Sequence, residues 1–138
     1  MASRNRKLVV DSDVLVEILR GNGTVADQLR ACLAAGVRVW ITPITVAEIL
    51  AGARSKEAAV TRRLLDGLGC LRIDRAVSDS AGRYIARYGP SHGVEIADAL
   101  IAAATRANDC RLWTRNRKHY PMRDLRFFTP GPAREPDP

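Results

Sequence analysis

The chain has 138 residues, 46% of them apolar, and carries 22 Lys and Arg against 15 Asp and Glu, a net charge of +7. This length favours a single domain with a sizeable core, and the excess of positive charge attracts polyanions, nucleic acid first among them. The apolar run after the basic N-terminus is too short for a signal peptide or a membrane span. The three cysteines, Cys32, Cys70 and Cys110, share no metal-ligand spacing, which reads as reduced thiols in a cytoplasmic protein.

Residues 1–6 form a polar, basic arm, and a mobile one is expected. Leu8, Val9 and Val10 then make a short β-branched run, the pattern of a buried parallel strand. The strand should end at Asp11, with Ser12 capping the helix that follows. That helix carries Val14, Leu15 and Ile18 inward and stops at Gly21. After a turn at 22–24, Val25, Leu29, Cys32 and Leu33 mark an amphipathic helix ended by Gly36. The run VRVWI at 37–41 is the second strand, and Pro43 opens a helix reaching Gly52. Ser55 can cap a further helix with Val60, Leu64, Leu65 and Leu68 inward. A brief third strand is expected at 71–73. Asp74 caps a long helix in which Val77, Ala81, Tyr84, Ile85 and Tyr88 recur with a period of about 3.6. Gly89, Pro90 and Gly93 predict a loop, 94–106 an alanine-rich helix, 111–113 the fourth strand and 125–128 the fifth. The end of the chain, 129–138, is rich in proline and predicts a disordered tail after one domain at 1–128. Strands that alternate with helices imply an α/β fold, a parallel sheet covered on both faces.

Four points along this framework carry chemistry. Asp11 follows the first strand, where ligands of open α/β sheets sit, and it is there either a cap or a ligand. Glu48 lies on the helix after the second strand, with Ile44, Thr45, Ala51 and Gly52 on its face. The small residues at 51 and 52 allow the close backbone approach of a crowded site, although a solvated helix Glu fits the same pattern. Asp98 shares an apolar stripe with Val94, Ile101 and Ala102. An isolated carboxylate there costs several kcal/mol or takes up a proton, so an Arg, a run of backbone donors or a cation must compensate it. Asn116, with Thr114, follows the fourth strand. Asp13 reads as a first-turn carboxylate favoured by the helix dipole. If the three acids share a cleft, their charges need a counter-ion, and Mg²⁺ or Mn²⁺ suits an all-oxygen set. His92 and His119 are far apart in sequence and provide no zinc cluster.

The segments LVVDSDVLVEILRG, TPITVAEILAGAR, VEIADALIAAAT and LWTRNRKHYPM, in this order, resemble a PIN-domain nuclease, and in particular the VapC-type toxins of bacterial toxin–antitoxin pairs. The resemblance covers 8–128. It implies a three-layer α/β/α sandwich around a parallel sheet of about five strands, and metal-dependent cleavage of RNA. The acids of the family fall on Asp11, Glu48 and Asp98, which would hold Mg²⁺ (or Mn²⁺). The fourth position, often Asp, falls on Asn116, which leaves open whether one metal or two take part. Thr114 matches a hydroxyl residue that supports the site by hydrogen bonding, and Ser12 and Asp13 lie beside it, Asp13 at a polar position that is not usually a ligand. The resemblance further implies a tRNA or other structured RNA substrate, a homodimer, and an antitoxin partner whose C-terminal segment lies across the site.

Arg115, Arg117, Lys118 and His119 flank Asn116 and suit contact with RNA phosphates. Arg54, Lys56, Arg62 and Arg63 form a second basic set that equally fits a solvated face. Two other readings stay open. The opening Asp11-Ser-Asp13 resembles the DxD loop of haloacid-dehalogenase-type phosphatases, although the late acid pair of that class is missing. A catalytically decayed module that binds RNA or an antitoxin is the second. The stripe Val25, Leu29, Cys32 and Leu33 fits a partner groove, a dimer face or plain core.

Overall fold

The computed structural model describes residues 7–132; the basic arm at 1–6 and the end of the expected tail at 133–138 lie outside the described residues. The first strand, β1 (Lys7–Val10), forms the middle of a four-stranded parallel sheet of order β3-β2-β1-β4, with β2 (Arg38–Ile41), β3 (Gly69–Cys70) and β4 (Arg111–Trp113). Val9 pairs with Trp40 on one side and with Leu112 on the other. Because successive side chains point to opposite faces, β1 serves two cores. Leu8 and Val10 face the helices α1 (Ser12–Leu19), α2 (Gly23–Ala34), α3 (Pro43–Gly52) and α4 (Ala58–Asp66). Val9 faces α5 (Arg75–His92) and α6 (Ile96–Ala107). The result is the expected three-layer α/β/α arrangement. In α6, the fully buried Ala99, Ala102, Ala103 and Ala104 let the helix lie close to α5 and the sheet while keeping high helix propensity. Ile101, also fully buried, contributes roughly 1.5–3 kcal/mol through burial of its side chain.

Local chemistry sets the starts of several helices. Asn22 Oδ1 accepts from Val25 N at 3.3 Å, so the expected turn at 22–24 is already the cap of α2. Thr42 Oγ1 accepts from Thr45 N at 3.3 Å ahead of Pro43, which suits the first helical position because it has no N–H to leave unpaired. Asp74 Oδ1 accepts from Val77 N at 3.0 Å, as the sequence predicts for α5.

Several expectations are corrected. Asp11, not Ser12, caps α1: its Oδ1 accepts from Ser12 N at 2.8 Å. Ser55 caps no helix; it opens a 3-10 turn, Ser55–Glu57, before α4. The third strand is Gly69–Cys70 rather than 71–73, because β2 ends at Ile41 and only Leu71 N still reaches it, donating to Ile41 O at 2.8 Å. A Cβ on Gly69 would lie 2.4 Å from the Trp40 ring, so only glycine lets β3 pass beneath that indole. Helix α5 runs past Pro90 and stops at Gly93, whose φ of 63° is the left-handed conformation that ends a helix at low cost for glycine. Helix α6 begins at Ile96, two residues later than expected. The fifth strand is reduced to one parallel bridge, Leu112 with Phe127. Leu112 N donates to Arg126 O at 2.9 Å and Phe128 N to Leu112 O at 2.8 Å. The next donor on that edge would be residue 130, a proline, which has no N–H to extend the ladder.

Beyond the bridge, Arg117 donates to Thr129 Oγ1 at 2.9 Å, and Gln28 donates to Gly131 O at 3.0 Å. All three cysteines are free thiols, with Cys32 and Cys110 buried and Cys70 exposed. No helix among the described residues is long and apolar enough to cross a membrane.

Candidate active site

The order β3-β2-β1-β4 makes the chain leave β1 in one direction and return on its other side. The carboxyl ends of β1 and β4 therefore lie side by side at the point where the strand order reverses, the position at which α/β sheets place their ligands. Asp11 N donates to Trp113 O at 2.9 Å, which seats the last residue of one strand end against the other. Asp11 is only 7% exposed. Its Oδ1 is held by the Ser12 amide, and its Oδ2 accepts from Thr114 Oγ1 at 2.9 Å and from the Tyr120 hydroxyl at 2.8 Å. A buried carboxylate is tolerated when its lone pairs are answered in this way.

Thr114 links the strand ends. Its hydroxyl lies 2.9 Å from Asp11 Oδ2 and 3.3 Å from Asp13 Oδ2, and it accepts from Asn116 N at 3.1 Å. One proton serves two carboxylates, with the shorter contact to Asp11. Asp13 Oδ2 also accepts from Arg115 N at 3.0 Å, whereas its Oδ1 is buried without a partner among the described residues. Burial first, then the charge of Asp11, raises the Asp13 pKa, against the Arg115 and Thr114 hydrogen bonds that lower it.

Asp98 stands in the first turn of α6. Its Oδ1 receives the Tyr120 hydroxyl at 3.4 Å, and its Oδ2 lies 3.5 Å from His119 Nδ1. Asn116 Nδ2 is 3.0 Å from His119 Nε2, so when the amide donates there the neutral ring turns its Nδ1–H toward Asp98. Burial raises the Asp98 pKa; His119 opposes this only when its ring is protonated, and the Asp11 charge adds to it. Glu48 is exposed on α3, yet its pKa too is raised, by partial burial and then by Asp11, with smaller contributions from Asp98 and Asp13. The Ser12 hydroxyl bonds to Glu48 and counters part of this. The three acids are therefore electrostatically joined: Asp11 raises both of the others.

Arg115 and Lys118 are exposed on the loop beside the cleft. The Arg117 guanidinium lies 4.9 Å over the Phe127 ring and donates to Thr129, so it holds the C-terminal segment. Of the second basic set, Arg54 joins Glu48, Arg20 and Thr61 around a cleft of about 400 Å³. Val25, Leu29 and Cys32 are core, and Leu33 is exposed.

Tyr120 is a residue of the candidate site that the sequence did not single out. It is buried, bridges Asp11 and Asp98, and has its hydroxyl pKa pushed far up by burial and by those two charges, so it stays a donor. Tyr120→Phe is expected to lower the melting temperature by roughly 3–8 °C, the loss of about 1–2 kcal/mol for a buried bond to a charged acceptor. A thermal melt of the two proteins checks this.

An oxygen-only set of mutually repelling acids, one buried carboxylate oxygen beside them left unpaired, suits a hard divalent cation. Among the described residues no group of three or more His, Cys, Asp or Glu side chains is arranged so that it could by itself hold a metal ion.

The PIN-domain family pattern matches residues 8–125. The chain belongs to the PIN-domain family. It is 34% identical over 116 residues to Ribonuclease VapC10 of Mycobacterium tuberculosis, covering 83% of this chain and 86% of that one. It is 30% identical over 115 residues to Ribonuclease VapC19 of the same organism, covering 83% and 92%. Among solved structures, a DNA-bound VapBC from Salmonella typhimurium superposes with a TM-score of 0.76 at 18% identity, covering 88% of this chain and 96% of that one. A toxin-antitoxin complex from Klebsiella pneumoniae gives 0.72 at 20% identity, covering 91% and 99%. The four motifs that the sequence offers as a PIN resemblance are thus those of a PIN domain.

Proposed function

We propose that this PIN-domain protein is a divalent-metal-dependent endoribonuclease, the toxin of a toxin–antitoxin pair, acting in the cytoplasm on tRNA or another structured RNA and so blocking translation. The observation that carries this reading is the buried Asp11 joined through Tyr120 to Asp98, with the charge of Glu48 coupled to both. The ribonuclease names of the VapC relatives support the substrate class, and the toxin–antitoxin complexes among the structural neighbours support an antitoxin partner. A homodimer is part of the same proposal.

In this reading Asp11, Glu48 and Asp98 hold Mg²⁺ or Mn²⁺. Such an ion, when bound, would supply a water of lowered pKa and offset charge on the scissile phosphate. Asp11 is fixed by three donors and does not swing. His119, whose Nδ1 is 3.5 Å from Asp98, is the group placed to hold or pass a proton. Asn116 orients His119 and supplies no charge. Thr114, Ser12 and Asp13 keep the carboxylates apart and aimed, while Arg115, Lys118 and His119 present positive or donor groups to RNA phosphates, and Arg117 adds its charge from the C-terminal side.

The experiment is cleavage of RNA by the purified chain with Mg²⁺ and with EDTA, run beside Asp13→Asn. Cleavage in Mg²⁺ alone is expected, with Asp13→Asn within about tenfold of the parent, because the amide oxygen can still accept from Arg115 N. A phosphatase of the DxD type would instead lose its acid/base residue and nearly all activity in that variant. Equal cleavage in EDTA would overturn the metal dependence, and no cleavage of any RNA would overturn the enzyme in favour of a binding module.

A further inference from the structure

Along the C-terminal half of α6 lies a cleft of about 420 Å³ between α5, α6 and the loop at 123–124. Arg83, Arg87, Arg106 and Arg123 line it, and the one carboxylate there is Asp124. Asp124 is already engaged: the Tyr84 hydroxyl donates to its Oδ1 at 2.8 Å, and Arg106 Nε is 3.7 Å from its Oδ2. Arg83, Arg87 and Arg123 have no carboxylate within ion-pair distance among the described residues. Arg83 donates to Ser80 Oγ at 3.1 Å, and the Arg87 guanidinium lies 5.4 Å from the centre of the Tyr88 ring. Arg123 N donates to the Tyr88 hydroxyl at 3.4 Å. The two tyrosines therefore tie the loop to α5 and keep three uncompensated guanidiniums around one concavity.

Mutually repelling guanidiniums that outnumber the one acid among them, itself already engaged, are stabilised by an anion with several oxygens, and the planar fork of arginine matches phosphate. The position indicates which phosphate. Arg106 lies eight residues beyond Asp98 on the same helix, about 12 Å at 1.5 Å per residue. That is the axial span of three or four stacked nucleotides. On the other wall, Arg123 follows Tyr120 by three residues. We propose that the arginine cleft between α5 and α6 binds backbone phosphates of the RNA a few nucleotides away from the bond that is cut. This deepens the ribonuclease reading and rests on it.

The test uses a fluorescein-labelled single-stranded 20-nucleotide RNA, titrated in EDTA at several salt concentrations, with kcat and KM for a longer RNA measured in Mg²⁺. The exposed pair Arg87→Ala/Arg123→Ala is expected to weaken binding about tenfold and to reduce the slope of log affinity against log salt by about 1.4, the loss of two phosphate contacts on a single strand. KM rises by a similar factor with kcat unchanged, because the contact is equal in ground and transition states. Arg87→Lys/Arg123→Lys, which keeps the charge, restores the slope. Arg38→Ala/Arg111→Ala removes the same charge at the amino ends of β2 and β4, the opposite edge of the sheet, and leaves KM unchanged. An unaltered slope in the first pair, or an equal loss in the second, would overturn the cleft as an RNA site while leaving the nuclease standing. If the unaltered protein neither binds nor cuts RNA, the ribonuclease reading fails and the cleft with it.

Discussion

Asp11→Asn is expected to reduce RNA cleavage about a thousandfold while the chain still folds. The size follows from charge. Asp11 is the carboxylate that raises the pKa of Asp13, Glu48 and Asp98, so its field runs through the whole cleft. Removing it withdraws the negative potential that would hold a divalent ion, and loss of about 4 kcal/mol of transition-state stabilisation corresponds to that factor. The fold survives because the amide keeps one acceptor for the Ser12 N–H and the shape of the side chain. Its NH₂ then meets the Thr114 and Tyr120 hydroxyls, which can turn to accept, with Tyr120 still able to donate to Asp98. A cost of about 1–2 kcal/mol, or several degrees of melting temperature, is expected. Single-turnover cleavage and a thermal melt measure the two quantities separately. Cleavage at the unaltered rate would remove Asp11 from the chemistry.

How much of this site a sequence reveals depends on the range of the interaction. Asp11 and Thr114 were legible because each follows an apolar β-branched or aromatic run, and strand ends in a parallel sheet share one edge. Asp98 was legible as an acid on an apolar stripe, but its place in the first turn depended on where α6 begins, and Glu95 caps it with no side-chain hydrogen bond that would mark the start. Tyr120 lies 109 residues from Asp11 in the chain. Nothing periodic in RKHYPM separates it from an ordinary surface tyrosine, and only the tertiary fold carries it under the sheet's rim. A run of basic residues likewise does not tell which guanidinium faces the cleft: Arg117 turns to Phe127 while Arg115 offers its backbone to Asp13. The fifth strand failed for a local reason that the sequence does contain, the proline at 130, whose missing N–H matters only once the pairing register is known.

Without a divalent cation the protein is expected to lose stability as pH rises from about 4 toward neutrality, and Mg²⁺ is expected to restore it over the same range. Asp13 and Asp98 are raised from an ordinary value of 3.8, and Glu48 from 4.5. A folded state whose acids have raised pKa values binds more protons than the unfolded chain, so for these groups stability falls with rising pH. Their contribution is intact below the unfolded values and is lost as pH passes through the raised, folded ones. A cation held as proposed would bind the deprotonated carboxylates and remove the repulsion among Asp11, Glu48 and Asp98. Its stabilisation is therefore small near pH 4 and grows toward pH 7, reaching about 2.7 kcal/mol when Mg²⁺ is present at a hundred times its dissociation constant. Thermal melts at pH 4.5 and pH 7.5, each with Mg²⁺ and with EDTA, read this without reference to catalysis. At the higher pH the Mg²⁺ shift should be on the order of 10 °C, and most of it should vanish in Asp98→Asn and Glu48→Gln. A shift of the same size at both pH values, or one untouched by both substitutions, would mean that these acids do not share an ion and that their mutual repulsion is answered some other way.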